Sequence, residues 1–534
     1  MLKAFSDLLA NNARDYGENL AVVCGEVRLT WADLDKLVSR TSNSILERTP
    51  EGKGHRIGIL MENRPEFLAV LYGAQRAGMV PAPINTRFVG REIRHVIEAS
   101  RPSLIVCTAH FRSNLLEGIS HLEQKPHVVI LEETEEESKH GEMWSDFLDR
   151  ASPTPPNVDV EPSDLGVQLF TGGTTGLPKA SDFTHKALLD ACTLIPDHGL
   201  QLIFDGQVPE SALLPSDTEL KFLVPTPLYH LSGFMPAIIM SAMKRPIAFP
   251  TSLSFEPEEI CTLIEQEKIT AVFMVPTQFR VFLDYPKLSE HDLSSVTLLS
   301  SGGSKMAAET KIEILERFPE AVLVDGYGQT ENIGAAIYSF MTPADIPKIV
   351  DGYIGKPISG VEMRIIDDEG RDVKPGEVGE AVYRSPSLMR GYHGDSSTTE
   401  DAFVEDWFRT GDLFRVDEEG NYYYVDRKSE VIFSGSEKVF PAEVERIIAS
   451  HPKIEAAVVL GEEDRTWGQI VIAIVAPVKG QSVSAEEVIE WCSGKMASFK
   501  KPKVVRIRES LPVAEDGKVL RSALKDELVS GDSG

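Results

Sequence analysis

The sequence predicts an α/β protein. A large N-terminal domain, residues 1–426, is expected to hold two doubly wound parallel sheets plus a small β-barrel, and a small α/β domain is expected over residues 427–534. Three observations predict this. At 534 residues the chain exceeds what one hydrophobic core supports, so it must divide. Short apolar runs alternate with helix-length amphipathic segments over residues 1–150 and again over 186–340, the rhythm of parallel sheets covered by helices. From Gly352 to Tyr424 the rhythm changes to short alternating strands and glycine turns such as Asp367-Asp368-Glu369-Gly370.

Taken in order, Thr30 is placed to cap a helix that keeps its apolar period to Leu46. Arg56–Leu60 reads as a strand, Pro65–Ala77 as a helix, and Met79–Pro83 as a turn into another strand. Leu104–Cys107 and His127–Leu131 repeat the buried-strand pattern, while the glutamate-rich 132–142 and the Pro-rich 152–162 read as loops. Pro196, Pro209 and Pro215 predict a turn-rich interruption, a lid or an insertion, between Ile195 and Leu220. Leu231–Met243 is apolar but too short to cross a bilayer, and it reads as core.

The formal charge is 54 − 82 = −28, which disfavours nucleic acid and anionic membrane as partners. From Arg427 onward 16 basic residues nearly balance 17 acidic ones, a net of −1, so −27 falls on the first 426 residues. That balance includes a run of Lys500, Lys501, Lys503, Arg506 and Arg508. Cys24, Cys107, Cys192, Cys261 and Cys492 are scattered, odd in number and form no CxxC, which predicts reduced thiols in a cytoplasmic protein without a cysteine metal site. The N-terminus lacks the basic and apolar regions of a signal peptide.

The most informative stretch is Phe170-Thr171-Gly172-Gly173-Thr174-Thr175-Gly176-Leu177-Pro178-Lys179, after the apolar run Leu165–Phe170. Glycines let several N–H groups converge while hydroxyls and an ammonium add donors, a combination that suits polyphosphate; the alternative is an ordinary Gly/Thr turn. It is not a Walker A loop, because Leu177-Pro178 separates Gly176 from Lys179 and no Ser or Thr follows. The extended residues after it make the loop a connection between two strands. A Thr/Gly-rich loop ending in Gly-x-Pro-Lys resembles the signature of adenylate-forming enzymes: acyl- and aryl-CoA synthetases, luciferases and peptide-synthetase adenylation domains. The resemblance runs from about residue 5 to 525 with every motif in the family's order.

The resemblance implies a role for each matching residue. Thr171, Gly172, Gly173, Thr174, Thr175, Gly176 and Lys179 would hold ATP phosphates, with Thr175 close to the chemistry. In Pro227–Gly233, Tyr229 and the catalytic candidate His230 would wall the reacting carboxylate. In Ser300–Ser304, after an expected strand Val296–Leu299, Gly302 and Gly303 would lie under adenine and beside the acyl group, although the commoner form is Gly-Gly-Ala-Pro. In Val324–Glu331, Asp325, Gly326, Tyr327, Gly328, Gln329 and Thr330 would contact the nucleotide, with Tyr327 stacking on adenine, Thr330 at the α-phosphate and Glu331 as the single carboxylate for Mg²⁺. Asp412 would grip the ribose, and Tyr424 and Arg427 would contact ribose or phosphate. Ser429 stands where the family has a Lys or Asp hinge about which a mobile small domain rotates. Gly435 and Lys438 belong to the motif lining the pantetheine tunnel, with Ser436 in place of an expected glycine. Lys518 would be the adenylation lysine.

The activity implied by the resemblance is that of an ATP-dependent carboxylic acid–CoA ligase, which uses Mg²⁺ and forms an acyl-adenylate and then a thioester. The basic run at 500–508 reads either as a solvated face or as a contact for the CoA phosphates. Small residues at Gly302, Gly303, Gly334, Ala335 and Ala336 suggest an open apolar pocket for a medium-chain fatty or an aromatic acid. One alternative is an acyl-AMP ligase loading a separate carrier protein, supported by Ser436. Another is a non-catalytic ligand-binding homologue, against which Thr175, Lys179, Glu331, Asp412, Arg427 and Lys518 all stand. Amino-acid activation is disfavoured, since no aspartate near His230 is placed to bind an amino group. Neither a carrier domain nor a peroxisomal tail is expected after Lys518, and a monomer or homodimer is expected.

Overall fold

The structure, a computed structural model, describes residues 2–50, 52–131, 140–171, 178–206, 220–434, 437–464, 467–493, 495–513 and 519–530. The chain divides into two compact units: Met1–Ile349 with Lys356–Glu362 and Arg384–Trp407, and Val350–Gly355 with Met363–Tyr383 and Phe408–Gly534.

The first unit holds the two parallel sheets that the β–α rhythm predicts. In one, Val80–Pro83, Arg56–Leu60, Pro102–Cys107, His127–Ile130 and Glu142–Met143 lie side by side, all parallel. In the other, Val322–Tyr327, Leu298–Gly302, Ala271–Phe273, Phe222–Leu223, Ile247–Phe249 and Leu20–Cys24 are parallel, with Ile337–Met341 antiparallel beside Val322–Tyr327 and Val27–Thr30 antiparallel beside Leu20–Cys24. Helix Pro65–Arg76 is buried at every position but Glu66, as expected of a helix enclosed by other elements. Helix Trp31–Arg48 starts where Thr30 predicts, with Thr30 and Asp33 forming a capping box.

A third, three-stranded sheet carries the organising loop. Leu165–Thr171 and Lys179–Thr184 pair antiparallel, with Thr171 opposite Lys179, and Gly391–Tyr392 adds a short outer strand. Phe170 and Ala180 join the core formed with Leu60, Ile105 and Ile130, so the strands entering and leaving the loop are anchored in the first parallel sheet's core.

Two expectations need correction here. The chain does not break at Pro196: helix His185–Phe204 runs through it. A proline removes one helix donor, and buried Ala191, Cys192 and Gly199 on either side hold the helix against that loss. Residues 207–219, with Pro209 and Pro215, lie outside the described residues. The strand expected at Val296–Leu299 runs instead over Leu298–Gly302, so Ser300, Ser301 and Gly302 belong to the sheet itself.

The second unit takes in most of the strands expected over 352–424 as a small β-barrel; they pair in the open order Glu362–Ile366, Val378–Arg384, Trp407–Val416, Tyr422–Arg427, Tyr353–Pro357, with no pairing between the first and the last among the described residues. It also contains the C-terminal α/β part. There Glu437–Val439, Ile432–Ser434, Gly468–Pro477 and Ile454–Asp464 form an antiparallel sheet, to which Val504–Ile507 adds in parallel. Helices Pro441–Ala449 and Ala485–Cys492 bury Val444, Ile448 and Val488 in its core.

His185 gives the fold a pH dependence. The Phe5 N–H donates to its Nδ1 at 3.1 Å, and burial holds the imidazole down at about 4. Because the folded value lies below the unfolded one, this stability is present above pH ~6.5 and is lost as pH falls towards 4, by about 3 kcal/mol. Denaturant titrations across that window should show a flatter pH response for His185→Asn, whose side chain can still accept the Phe5 hydrogen bond.

Candidate active site

The parallel strands Leu298–Gly302 and Val322–Tyr327 pair in register, Gly302 opposite Gly326, and end together. In an α/β sheet that carboxyl edge is where ligands bind. Beyond it, Gly326, Tyr327, Gly328, Gln329, Thr330 and Glu331 are all half-exposed, while Asp325 before them and Asn332 after them are fully buried. Each flanking residue is a polar anchor. Asp325 forms a 2.6 Å ion pair with Lys311 of helix Ala308–Arg317, with both side chains at most 2% exposed. Asn332 accepts a 2.8 Å hydrogen bond from Ser387. A stretch open to ligand is thus pinned at both ends by buried polar contacts.

The glycines here have different reasons. A Cβ on Gly302 would lie 3.1 Å from the Gly326 carbonyl oxygen; on Gly326 it would lie 2.4 Å from the Tyr338 ring, and on Gly328 2.5 Å from the Gly334 carbonyl oxygen. Those three are required by protein packing. Gly303 is exposed, with φ +87° and nothing closer than Val275 at 3.7 Å. Gly334 is buried, with φ +121°, yet its nearest neighbour would be Ile195 at 4.0 Å. Space therefore lies beside Gly303 and Gly334 rather than over Gly302 and Gly326.

His230 is the residue before helix Leu231–Ala242 and packs its ring 4.7 Å from that of buried Tyr229. The turn carrying them is held by Asn63, which accepts from the Leu228 N–H at 2.8 Å and donates to the Thr226 carbonyl at 2.8 Å. Gly233 is obligatory, since a Cβ would sit 2.3 Å from the Pro227 oxygen.

On the phosphate-loop side, Thr171 is buried and Lys179 half-buried, while Gly172, Gly173, Thr174, Thr175 and Gly176 lie outside the described residues. Lys179 Nζ stands 5.3 Å from the centre of the Tyr392 ring, and the Tyr392 hydroxyl donates to Glu331 Oε1 at 2.8 Å. One tyrosine thus links the loop's exit lysine to the carboxylate expected at Mg²⁺. Behind it, Asp182 of the exit strand accepts from Gln168 and from His393, both at 2.7 Å, and Arg56 lies 3.0 Å from the His393 ring.

Within the second unit, Asp412 and Arg427 face each other across antiparallel strands, with Arg427 Nε 2.8 Å from the Asp412 carboxylate. Asp412 is 1% exposed, whereas Arg427 is exposed. The Tyr424 ring meets Phe414 edge-on at 5.5 Å, and burial raises its phenol well above the ordinary value. Asp426 accepts from the Ala442 N–H at 2.9 Å at the start of helix Pro441–Ala449, a carboxylate placed where the helix dipole favours it. Exposed Ser429 sits in the short turn Lys428–Glu430. Lys428 reaches Glu380 at 3.0 Å and Asp368 at 2.9 Å. Burial opposes ionisation of Glu380, but Arg409 and Lys428 hold it below the usual carboxylate range. An open cleft of about 890 Å³ runs past Lys428, Ser429, Phe433, Trp467 and Gln469. Lys438 is exposed, 4.0 Å from Asp368; Gly435, Ser436 and Lys518 lie outside the described residues.

The basic run at 500–508 is engaged locally. Lys500 pairs with Glu443, Arg506 with Glu462 and Arg508 with Glu527, while Lys501 donates to Ser493 and Lys503 lies 4.2 Å from the Trp467 ring centre. Asp325 likewise meets Lys311.

Residues 9–393 match the AMP-binding enzyme family, and residues 443–518 match the AMP-binding enzyme C-terminal domain. The chain is 30% identical over 506 residues to a feruloyl-CoA synthase of an Amycolatopsis species, covering 95% of both chains. It is also 30% identical to the indoleacetate–CoA ligase of Aromatoleum aromaticum, over 93% of this chain and 92% of that one. Its fold superposes on the anthranilate CoA ligase AuaEII in complex with anthranoyl-AMP with a TM-score of 0.84 at 22% identity, covering 99% and 98% of the two chains. The chain belongs to the AMP-binding enzyme family, in its acyl- and aryl-CoA synthetase branch, and is an AMP-forming acid–thiol ligase.

Sequence reasoning missed Tyr392, Asn63 and the Asp182–His393 pair. The visible signal was Gly391-Tyr392-His393, an aromatic and a histidine directly after a glycine. Lys311 was missed as well, and its role is testable. Burial pushes the Asp325 carboxyl above its ordinary range against the pull of Lys311. Lys311→Met should therefore destabilise the first unit by about 3–5 kcal/mol at neutral pH. The deficit should shrink as pH falls, because protonation removes the uncompensated buried charge. Chemical denaturation at two pH values measures both effects.

Proposed function

We propose that the protein is an ATP-dependent aryl-acid–CoA ligase whose phosphate site is assembled from Lys179, Thr330 and Glu331. The observation that carries this reading is the meeting of Lys179 and Glu331 on a single tyrosine, Tyr392. It sets a cation from the loop strand and a carboxylate from the adjacent turn at one place, the pair that a metal-bound polyphosphate requires.

Adenylation would begin with the ATP phosphates on residues 171–176 and Lys179, Thr330 at the α-phosphate, and the ribose hydroxyls donating to Asp412. The acid's carboxylate, beside His230, would attack the α-phosphorus in line; a C–O–P linkage forms as pyrophosphate leaves. Lys518 would offset the negative charge that builds on the transferring group. Among the described residues no cluster of three or more His, Cys, Asp or Glu could hold a metal alone, so the donor set fits a cation that brings phosphate oxygens with it. Bound with the nucleotide, Mg²⁺ would neutralise charge on the departing phosphates, with Glu331 as its protein ligand. In the second half-reaction the CoA thiol would attack the acyl carbonyl of the mixed anhydride, and AMP would leave with the electron pair. A thiol of pKa ~8.5 is a modest nucleophile at neutral pH, and the activated anhydride compensates. The cleft past Ser429, lined by both Lys428 and the exposed rings of Phe433 and Trp467, suits an arm that is part apolar and part phosphate.

The substrate reading rests on two supports. Space beside Gly303 and buried Gly334 favours a flat or broad acyl group. The feruloyl and indoleacetate ligases are both named for aryl acids joined to their carboxylate by a short spacer. A medium-chain fatty acid is the second reading, supported by the apolar character of the neighbouring Ala335 and Ala336.

Acyl-CoA and AMP formation should be measured with a panel of arylpropenoic, arylacetic, benzoic and C2–C16 fatty acids, with CoA or a carrier protein as acceptor. The highest kcat/KM is expected for an aryl acid with CoA. Turnover restricted to acetate or amino acids would overturn the substrate assignment, and transfer to carrier protein but not to CoA would overturn the acceptor.

A further inference from the structure

Tyr392 belongs to a segment, residues 385–393, that contacts both the strand leaving the phosphate loop and the Glu331 turn. On one side, Gly391 and Tyr392 pair antiparallel with Asp182 and Ser181 of the strand that leaves the phosphate loop. Backbone hydrogen bonds from Arg390 to the Asp182 carbonyl and from His393 to the Ala180 carbonyl, both 2.7 Å, extend that pairing. On the other side, the Met389 N–H donates to the Glu331 carbonyl at 2.8 Å, the Ile333 N–H donates to the Ser387 carbonyl, and Ser387 Oγ donates to Asn332. The segment is therefore hydrogen-bonded to the loop's exit strand and to the Glu331 turn at once.

Tyr392 is its one side chain directed at the charged groups of both. The hydroxyl holds one carboxylate oxygen of Glu331, and the ring faces Lys179. The ring is itself held: the Tyr392 N–H donates to Thr399 Oγ1 at 2.9 Å, and Gly391, at φ +154°, has Thr399 where a Cβ would be, at 2.8 Å.

We propose that Tyr392 is a positioning residue for adenylation: residues 385–393 form a strap that sets Lys179 against Glu331, and the Tyr392 hydroxyl presents the remaining Glu331 oxygen to the cation that accompanies ATP. This rests on the assignment of Glu331 to that cation. The two parts of the side chain have separable jobs. The hydroxyl orients the metal-binding carboxylate, as groups hydrogen-bonded to a metal ligand do. The ring steadies the ammonium by its face.

ATP binding, followed calorimetrically at stepped Mg²⁺ concentrations and in EDTA, separates these jobs in Tyr392→Phe, Tyr392→Leu and Glu331→Gln, with the thermal midpoint recorded for each. For Tyr392→Phe, the Mg²⁺ concentration that half-maximally tightens ATP binding should rise about tenfold, with binding in EDTA and the thermal midpoint near wild type. Tyr392→Leu should show the same Mg²⁺ shift and, in addition, severalfold weaker ATP binding in EDTA. A wild-type Mg²⁺ response in Tyr392→Phe beside a shifted response in Glu331→Gln would overturn the positioning role alone. A lowered thermal midpoint with an unmoved Mg²⁺ response would reduce Tyr392 to a structural residue and overturn it likewise. A wild-type response in Glu331→Gln would remove Glu331 from the metal site, and the proposal with it.

Discussion

A chain of net charge −28 that must hold a polyanion cannot rely on its overall field, and the arrangement of the site reflects that constraint. Within each unit many cations are bound to carboxylates close by: Lys311 to Asp325 in the first, and in the second Arg427 to Asp412, Lys428 to Glu380 and Asp368, and Arg521 to Glu430 and Glu445. The nucleotide must then be met by fixed dipoles and a small number of oriented charges. A preorganised group needs no rearrangement when charge develops, which makes few groups sufficient if each is held in place. The buried anchors at Asp325 and Asn332, and the strap through Tyr392, supply that holding.

The same constraint separates two kinds of glycine. Gly302, Gly326 and Gly328 are small because protein atoms already occupy the space a Cβ would need, so they bring backbone and ring into close contact beneath the site. Gly303 and Gly334 adopt left-handed or extended positive-φ conformations beside open space, and there a side chain would intrude where an acyl group can lie. The proposed aryl-acid specificity therefore rests on two positions, Gly303 and Gly334, rather than on the whole glycine-rich run.

Much of this was legible in the sequence because the signals are local. The cap at Thr30, the buried strands of the first sheet, the antiparallel exit from the phosphate loop and the change to short strands after Gly352 each lie within a few residues of the pattern that predicts them. The failures are non-local. Pro196 reads as a break, but packing on both sides of it carries the helix through. Lys311, which pairs with Asp325, lies on a different element, so the sequence does not show the pair. The local partners of the basic run at 500–508, among them Glu443 and Glu462, are likewise too remote in the chain to be read from the sequence. Tyr392 lies 61 residues from Glu331 on a two-residue strand, too short to leave a periodic trace.

The central claim is that the site makes an acyl-adenylate as a discrete intermediate before any thiol takes part. Exchange of labelled pyrophosphate into ATP, measured without CoA and with and without an aryl acid, tests it most directly. Exchange that depends on the acid and on Mg²⁺ but not on CoA is the predicted result. Exchange that requires CoA would contradict it, since the thiol would then take part before the anhydride forms.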